Sequence, residues 1–266
     1  GLAGVVKHSY AVDLNRHITQ QRLEALEALV DPYTSTVPQI YTTVVSGSPL
    51  LEIVRTVLRN GHDLVMKVAQ YDSGPVPWLF GSTDMHLLRK CPCPVWIDRP
   101  DGAPAYKRLL AAVDPFDAES DDLQRLILDL ATSLAEREHA TLDIVHAWEL
   151  PGESALASGR GHIPRTELEQ LLRETGTRHR EAVDALLTPY GLSCDNDHVH
   201  LVKGLPAKII SAYAREQHTD LIVMGTLGRT GIPGLIIGNT AEDVLRQSQT
   251  AVLAVKPGAF VSPVTC

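Results

Sequence analysis

Short apolar runs alternate with amphipathic stretches along most of this chain, most clearly after residue 105. Leu109-Leu110-Ala111-Ala112-Val113-Asp114 is apolar at successive positions and ends in a carboxylate, the pattern of a strand buried on both faces of a parallel sheet. Leu123, Leu126, Ile127, Leu130 and Leu134 then recur at helical spacing within residues 120–138. A second strand is predicted over residues 141–147, a long helix over 168–187 and a third strand over 198–203. Pro206 opens a helix that runs to about Gln217, with proline in the first turn, where its missing N–H removes no bond. A fourth strand is predicted over 220–225, a helix over 240–247 and a fifth strand over 251–255. Strands and helices in this alternation make an α/β, doubly wound parallel sheet.

The first half repeats the second. Sliding residues 44–95 by 157 positions, so that Asp63 falls on Asp220, aligns 52 positions without a gap. Val45, Gly47, Pro49, Ile53, Asp63, Leu64, Gly74, Gly81, Thr83, Leu88, Arg89 and Val95 recur at the shifted positions, and the hydrophobic pattern recurs with them. The chain therefore reads as two tandem domains, residues 1–98 and 105–260, joined by the polar Pro/Gly segment from Asp98 to Pro104. The halves are unequal. Before a strand that ends near Gly47, the first half offers only a predicted strand over 2–6 and a helix over about 19–30. The strand and helix that lead the second half, residues 109–138, have no counterpart. The first sheet is thus expected to be incomplete at its N-terminal side, through preceding residues not included in this sequence or through loss of an edge. The former is preferred, because losing a central strand leaves its neighbours without backbone partners.

Composition narrows the function classes. A hydrophobic fraction of 44% with 21% charged residues fits a globular protein. The net charge of −8 opposes sequence-independent nucleic-acid binding, which needs clustered cations along phosphates. No apolar run approaches the roughly 20 residues that span a bilayer, and no signal peptide is visible, so the expected location is cytoplasmic. Cys91, Cys93, Cys194 and Cys266 do not make a disulfide framework in a chain of this size.

The segment with the most chemistry runs from Gly225 to Thr240. Gly225 and Gly228 let the backbone leave the strand sharply and approach a ligand without a Cβ in the way. Gly238-Asn239-Thr240 then starts a helix, whose free N–H groups and positive dipole end suit phosphate oxygens. Ligands of open α/β sheets lie beyond the carboxyl ends of the strands where the order reverses, and Asp114 ends its strand at that edge.

The pattern Gly225-x2-Gly228-x9-Gly238, followed by Asn239-Thr240, resembles the ATP-binding signature of the universal stress protein family. Gly-Arg-Thr-Gly-Ile at 228–232 and Gly-Asn-Thr-Ala-Glu at 238–242 look like its tandem, E-type bacterial members, as does the run from Thr83 to Pro92. The resemblance implies two Rossmann-like domains of the adenine nucleotide alpha hydrolase-like kind. It implies that Asp114 contacts a ribose, that Ala112 and Val145 line an adenine slot and that Met224 and Gly225 flank the nucleoside, with Val113 and Leu227 also counted as nucleotide-binding. Gly228, Gly238, Asn239 and Thr240 would hold phosphates, while Arg229 is open as a loose phosphate contact or a solvated side chain. The implied ligand is ATP or a related nucleotide, with Mg²⁺ accompanying it, and the implied role is stress-response binding rather than turnover. Asn239 departs from the family, whose ATP binders usually carry Ser or Thr there.

The first half departs further. Val68, Tyr71 and Asp72 stand where the second half has Gly225, Gly228 and Arg229, so no nucleotide is expected in it. Pro75, Pro77, Trp78 and Phe80 make that segment apolar instead. Two other functions stay open: a slow ATPase using Asp114 and the glycine loop, and a carrier of a larger lipid-like phosphate ligand using the apolar segment. The last strand of each half is an apolar edge, which predicts that the halves pair as an intramolecular pseudo-dimer, with a homodimer also open. Cys91-Pro92-Cys93 lacks the spacing of zinc or thioredoxin-like motifs, and a buried structural pair is expected. His198 and His200 share one strand face at a sheet edge, and His146 lies near the crevice as either a ligand contact or a packed residue.

Overall fold

The computed structural model describes residues 2–69, 81–100, 102, 105–116, 121–158, 163–226 and 237–265, the side chains of residues 2–13 and 121 excepted. Backbone contacts divide the chain into two units, residues 1–52 and 53–266. The first holds helix α1 (Leu2–Val30), an irregular stretch over 39–46, and the start of α2 (Pro49–Asn60).

The second unit is built on one seven-stranded sheet. Its strands are β1 (Val65–Val68), β2 (Val95–Asp98), β3 (Arg108–Ala112), β4 (Thr141–Trp148), β5 (Val199–Lys203), β6 (Leu221–Gly225) and β7 (Ala251–Val255). They lie in the order β1-β2-β7-β6-β3-β4-β5. Every pairing is parallel except β2 with β7, where Val95, Trp96 and Ile97 face Ala254, Leu253 and Val252. The sheets of the two halves are therefore joined edge to edge into one continuous sheet. The last strands of the halves, each apolar, satisfy each other's edges along this antiparallel seam.

Helices cover the sheet through apolar faces. In α4 (Asp121–Glu138), Leu123, Ile127, Leu128 and Ala131 pack against Leu109, Ala111, Ile144, Leu221, Val223 and Leu253. The alternate strand positions Leu110, Ile222, Val252 and Ala254 are buried as well, as strands covered on both faces require. The remaining helices are α3 (Ser82–Lys90), the short α5 (Glu153–Ser158), α6 (Arg165–Leu187), α7 (Pro206–Glu216) and α8 (Asn239–Gln247).

The repeat survives in detail. The 157-residue shift carries α3 onto α8 and β2 onto β7. It carries Gly47 onto Gly204, and both have φ of +148° at the entry to a helix, a backbone that L side chains rarely adopt.

Two expectations fail in the first unit. Residues 2–6 form the start of α1, not a strand, and the predicted helix over 19–30 is the end of the same element. A five-residue apolar run does not distinguish the two states, and a helix satisfies its own backbone where a strand needs a neighbour. Residues 39–46 likewise form no strand. Among the described residues their counterpart β5 pairs only with β4, and no strand of the first half corresponds to β4.

Candidate functional site

Within the complete half the strand order is β7-β6-β3-β4-β5, so the chain reverses direction across the sheet between β3 and β6. A crevice must open there, because the connections from these two strands leave in opposite directions. A cavity of 720 Å³ occupies this place, within the size range of small-molecule sites.

Ala112, Val113 and Asp114 at the end of β3, Val145 on β4, and Met224 and Gly225 at the end of β6 line it together with Gly238, Asn239 and Thr240. The structure thus brings these nine predicted residues to one place. Leu227, Gly228 and Arg229 lie outside the described residues, as does the apolar first-half segment 70–80.

Asp114 is fixed by its surroundings. Its backbone N–H donates to Gln124 Oε1 at 2.8 Å, and its carboxylate Oδ1 accepts the N–H of Phe116 at 3.2 Å. This local turn at the strand end aims the backbone out of the sheet.

Gly225 is glycine for a reason the sequence did not suggest. It is the last residue of β6, in register with Val255, and a Cβ on it would lie 3.1 Å from Leu123 Cδ2 of α4. Close packing of helix on strand favours a residue without a Cβ here, in addition to any approach by a ligand.

The two ends of the glycine loop are tied together. Gly238 N–H donates to Thr226 O at 2.8 Å, and Thr226 N–H donates to Val255 O at 3.1 Å. Thr226 is buried. Gly238 is also the N-cap of α8 and has no side chain to satisfy the first-turn N–H groups, which stand at the cavity.

Residues that pattern reading missed form the opposite wall. Phe116, Trp148, Arg178 and His179 all line the cavity. His179 on α6 stacks on Trp148 with ring centres 5.3 Å apart, and its ring centre is 4.4 Å from that of Phe116. Arg178 Cζ stands 5.7 Å from the centre of the Phe116 ring. His146 holds this group from beneath. Its Nδ1 is 2.9 Å from Val113 O, and a carbonyl only accepts, so Nδ1 carries the proton. Nε2 of His146 then accepts from His179 Nδ1 at 2.7 Å. His146 is therefore a packed residue that sets the tautomer and plane of His179. Trp148 at the carboxyl end of β4 was accessible to reasoning from strand ends; His179, midway along α6, carried no local signal.

His198 and His200 belong elsewhere. Both turn to Asp143 Oδ1, at 2.8 and 3.5 Å, and His200 Nε2 lies 2.7 Å from the Tyr213 hydroxyl. Among the described residues no group of three or more His, Cys, Asp or Glu is placed to hold a metal ion. No described helix is long and apolar enough to cross a membrane.

Fold and site together define a duplicated α/β chain of Rossmann-like build, with a ligand crevice at the switch point of its complete half. The sequence profile of the universal stress protein family matches residues 7–99 and again 105–256. The chain belongs to that family and carries its domain twice. It is 32% identical over 235 residues to Universal stress protein E of Escherichia coli K12, covering 86% of this chain and 71% of that one. A Universal stress protein E homolog of Haemophilus influenzae is 27% identical over 251 residues, covering 92% and 79%. Among solved structures, a putative universal stress protein from Pseudomonas aeruginosa is similar with a TM-score of 0.70 and 26% identity, over 88% of this chain and 78% of that one. One from Archaeoglobus fulgidus shares the fold with a TM-score of 0.59 at 20% identity, over 91% and 81%.

Proposed function

We propose that the second half, residues 105–260, holds a nucleotide such as ATP or AMP, and that the chain acts in stress responses through binding. The observation that carries this reading is the uncapped N-terminus of α8 facing the same cavity as Asp114 and the Phe116–His179–Trp148 wall. A helix N-terminus attracts phosphate, a carboxylate accepts ribose hydroxyls, and a wall of flat rings suits a base. The pairing of β2 with β7 supports reading the two family domains as an intramolecular pseudo-dimer whose halves have different duties.

Asn239 opens α8, so its substitution tests the phosphate end directly. Titration of the full chain with ATP, ADP, AMP and adenosine should show affinity rising with phosphate number, followed through Trp148 fluorescence or calorimetry. Asn239→Asp sets a carboxylate against the phosphates and should weaken ATP at least tenfold while leaving adenosine unchanged. Equal loss for both ligands, or no binding of any nucleotide by the unaltered chain, overturns the reading. Recovery of bound nucleotide after single-turnover incubation then separates holding from hydrolysis.

A further inference from the structure

Away from the crevice, the loop between α3 and β2 carries two thiols whose chemistry the nucleotide reading does not use. Cys91 is the C-cap of α3, and Cys93 precedes β2. Their sulfurs lie 3.5 Å apart, with one thiol donating to the other. Both are buried, Cys91 fully and Cys93 to within 9%. A buried lysine completes the group. Lys256, just past β7, donates from Nζ to Cys91 O at 2.6 Å and lies 4.8 Å over the Phe260 ring.

The duplicated half shows what the fold itself asks of this position. Ser248 and Thr250 stand where the shift places Cys91 and Cys93, and Ser248 Oγ accepts the Thr250 N–H at 3.0 Å. A hydroxyl completes that turn, so neither thiol is needed to close it. Two sulfurs beside a buried cation are an addition to the architecture. Cationic surroundings are what turn a thiol into a nucleophile.

We propose that Cys91 and Cys93 are a peroxide-reactive dithiol that closes to an intramolecular disulfide, with Lys256 as the positioning cation for the Cys91 thiolate. The Cys91 thiol gives up the proton that the leaving oxygen later takes up, and the thiolate attacks one oxygen of a hydroperoxide. The S–O bond forms as the O–O bond breaks, and the leaving oxygen takes up a proton to become an alcohol, or water from hydrogen peroxide. Cys93 sulfur then attacks the Cys91 sulfenic acid. The S–S bond forms, the S–O bond breaks, and hydroxide leaves with the Cys93 proton as water. Two thiols lose two electrons in total, and the peroxide gains them. The thiol donated by Cys93, together with Lys256, holds Cys91 below the ordinary thiol range, while the same bond and burial push Cys93 up. Cys194 is the internal contrast, since burial and Asp184 raise its thiol to about 11.

The test uses the full chain carrying Cys266→Ser, treated with a small excess of hydrogen peroxide. Intact mass should fall by about 2 Da, reversibly with dithiothreitol, as expected for one disulfide. Peptide mapping should place it between Cys91 and Cys93 while Cys194 stays open to alkylation. Cys91→Ser, which installs the residue of the duplicated half, should fold and lose the mass change. Cys93→Ser should leave a sulfenic acid on Cys91 that dimedone traps. Lys256→Met should slow oxidation about tenfold and move its pH profile upward, and Lys256→Arg should restore most of the rate. Oxidation of Cys194 as fast as the pair, or of the pair no faster than in urea-unfolded chain, overturns the site. An unshifted pH profile in a folded Lys256→Met protein overturns the role of the lysine.

Discussion

Lys67 Nζ and Asp84 Oδ1 form an ion pair at 2.7 Å in the first half, in the place where the second half has Met224 and Ala241. Asp84 is fully buried, and its other oxygen accepts the N–H of Gly81 at 2.9 Å. Gly81 is the N-cap of α3 as Gly238 is of α8. The first half therefore supplies its own anion to the helix end that the second half leaves open. A carboxylate already seated there with its cation removes both the space and the charge that a phosphate needs.

Breaking that pair should be costly and rewriting it should not. Asp84→Ala leaves a half-buried ammonium and an unsatisfied N–H, and should lower unfolding free energy by roughly 3 kcal/mol. The double variant Lys67→Met with Asp84→Ala restores the second half's residues and should recover most of the loss. Urea unfolding of the four proteins of the cycle decides this, and additive single effects would show that the pair is not coupled.

Gly225→Ala should cost about 1–2 kcal/mol through overpacking against α4. The Cβ meets a side-chain carbon of Leu123 at 3.1 Å, so a small shift of that leucine sets the size of the effect. A thermal midpoint unchanged within error would mean that α4 moves aside freely.

Arg89 and Glu242 link the halves through α3 and α8 at 3.0 Å, and Arg246 grips the same carboxylate at 2.6 Å. Arg246 first, then Arg89, holds the Glu242 carboxyl below its ordinary range. Its contribution is present above the unfolded value of about 4.3 and is lost as pH falls through the lower folded value. Glu242→Gln should cost at most about 1 kcal/mol near neutrality, because the group is partly exposed, and the difference should vanish in strong acid. A difference that persists at low pH would point to packing instead.

Burial lowers the Lys256 ammonium from 10.5 to about 8. Between these values the unfolded chain binds more protons than the folded one, so stability should rise with pH across the window. The penalty is fully present below pH 8 and gone above 10.5. Under reducing conditions, wild type should gain up to about 3 kcal/mol relative to Lys256→Met over that range. Parallel stability curves for the two proteins would contradict a charged, buried Lys256.

Much of this was legible in sequence because it is local. Successive apolar residues from Leu109 to Val113, the leucines of α4 and proline at the start of α7 each encode their element without reference to the rest of the fold. The duplication was legible for the same reason, as one pattern written twice. Residues 2–6 and 39–46 misled because a strand exists only through its neighbour, and the neighbour is not encoded in the segment. Asp114 and the helix start at Gly238 could be placed by strand ends and glycine spacing. Phe116, Trp148 and His179 come from separate elements, and their stacking depends on how α6 crosses the sheet.

The antiparallel seam between β2 and β7 has a consequence for how such a chain can change. In a symmetric pair of identical subunits, every substitution appears twice, so a pocket filled in one subunit is filled in both. Joining the two copies in one polypeptide lifts that constraint. Lys67 and Asp84 could become a permanent filling in one copy while the other kept its opening, and a single gene now encodes both the receptacle and the buttress beside it.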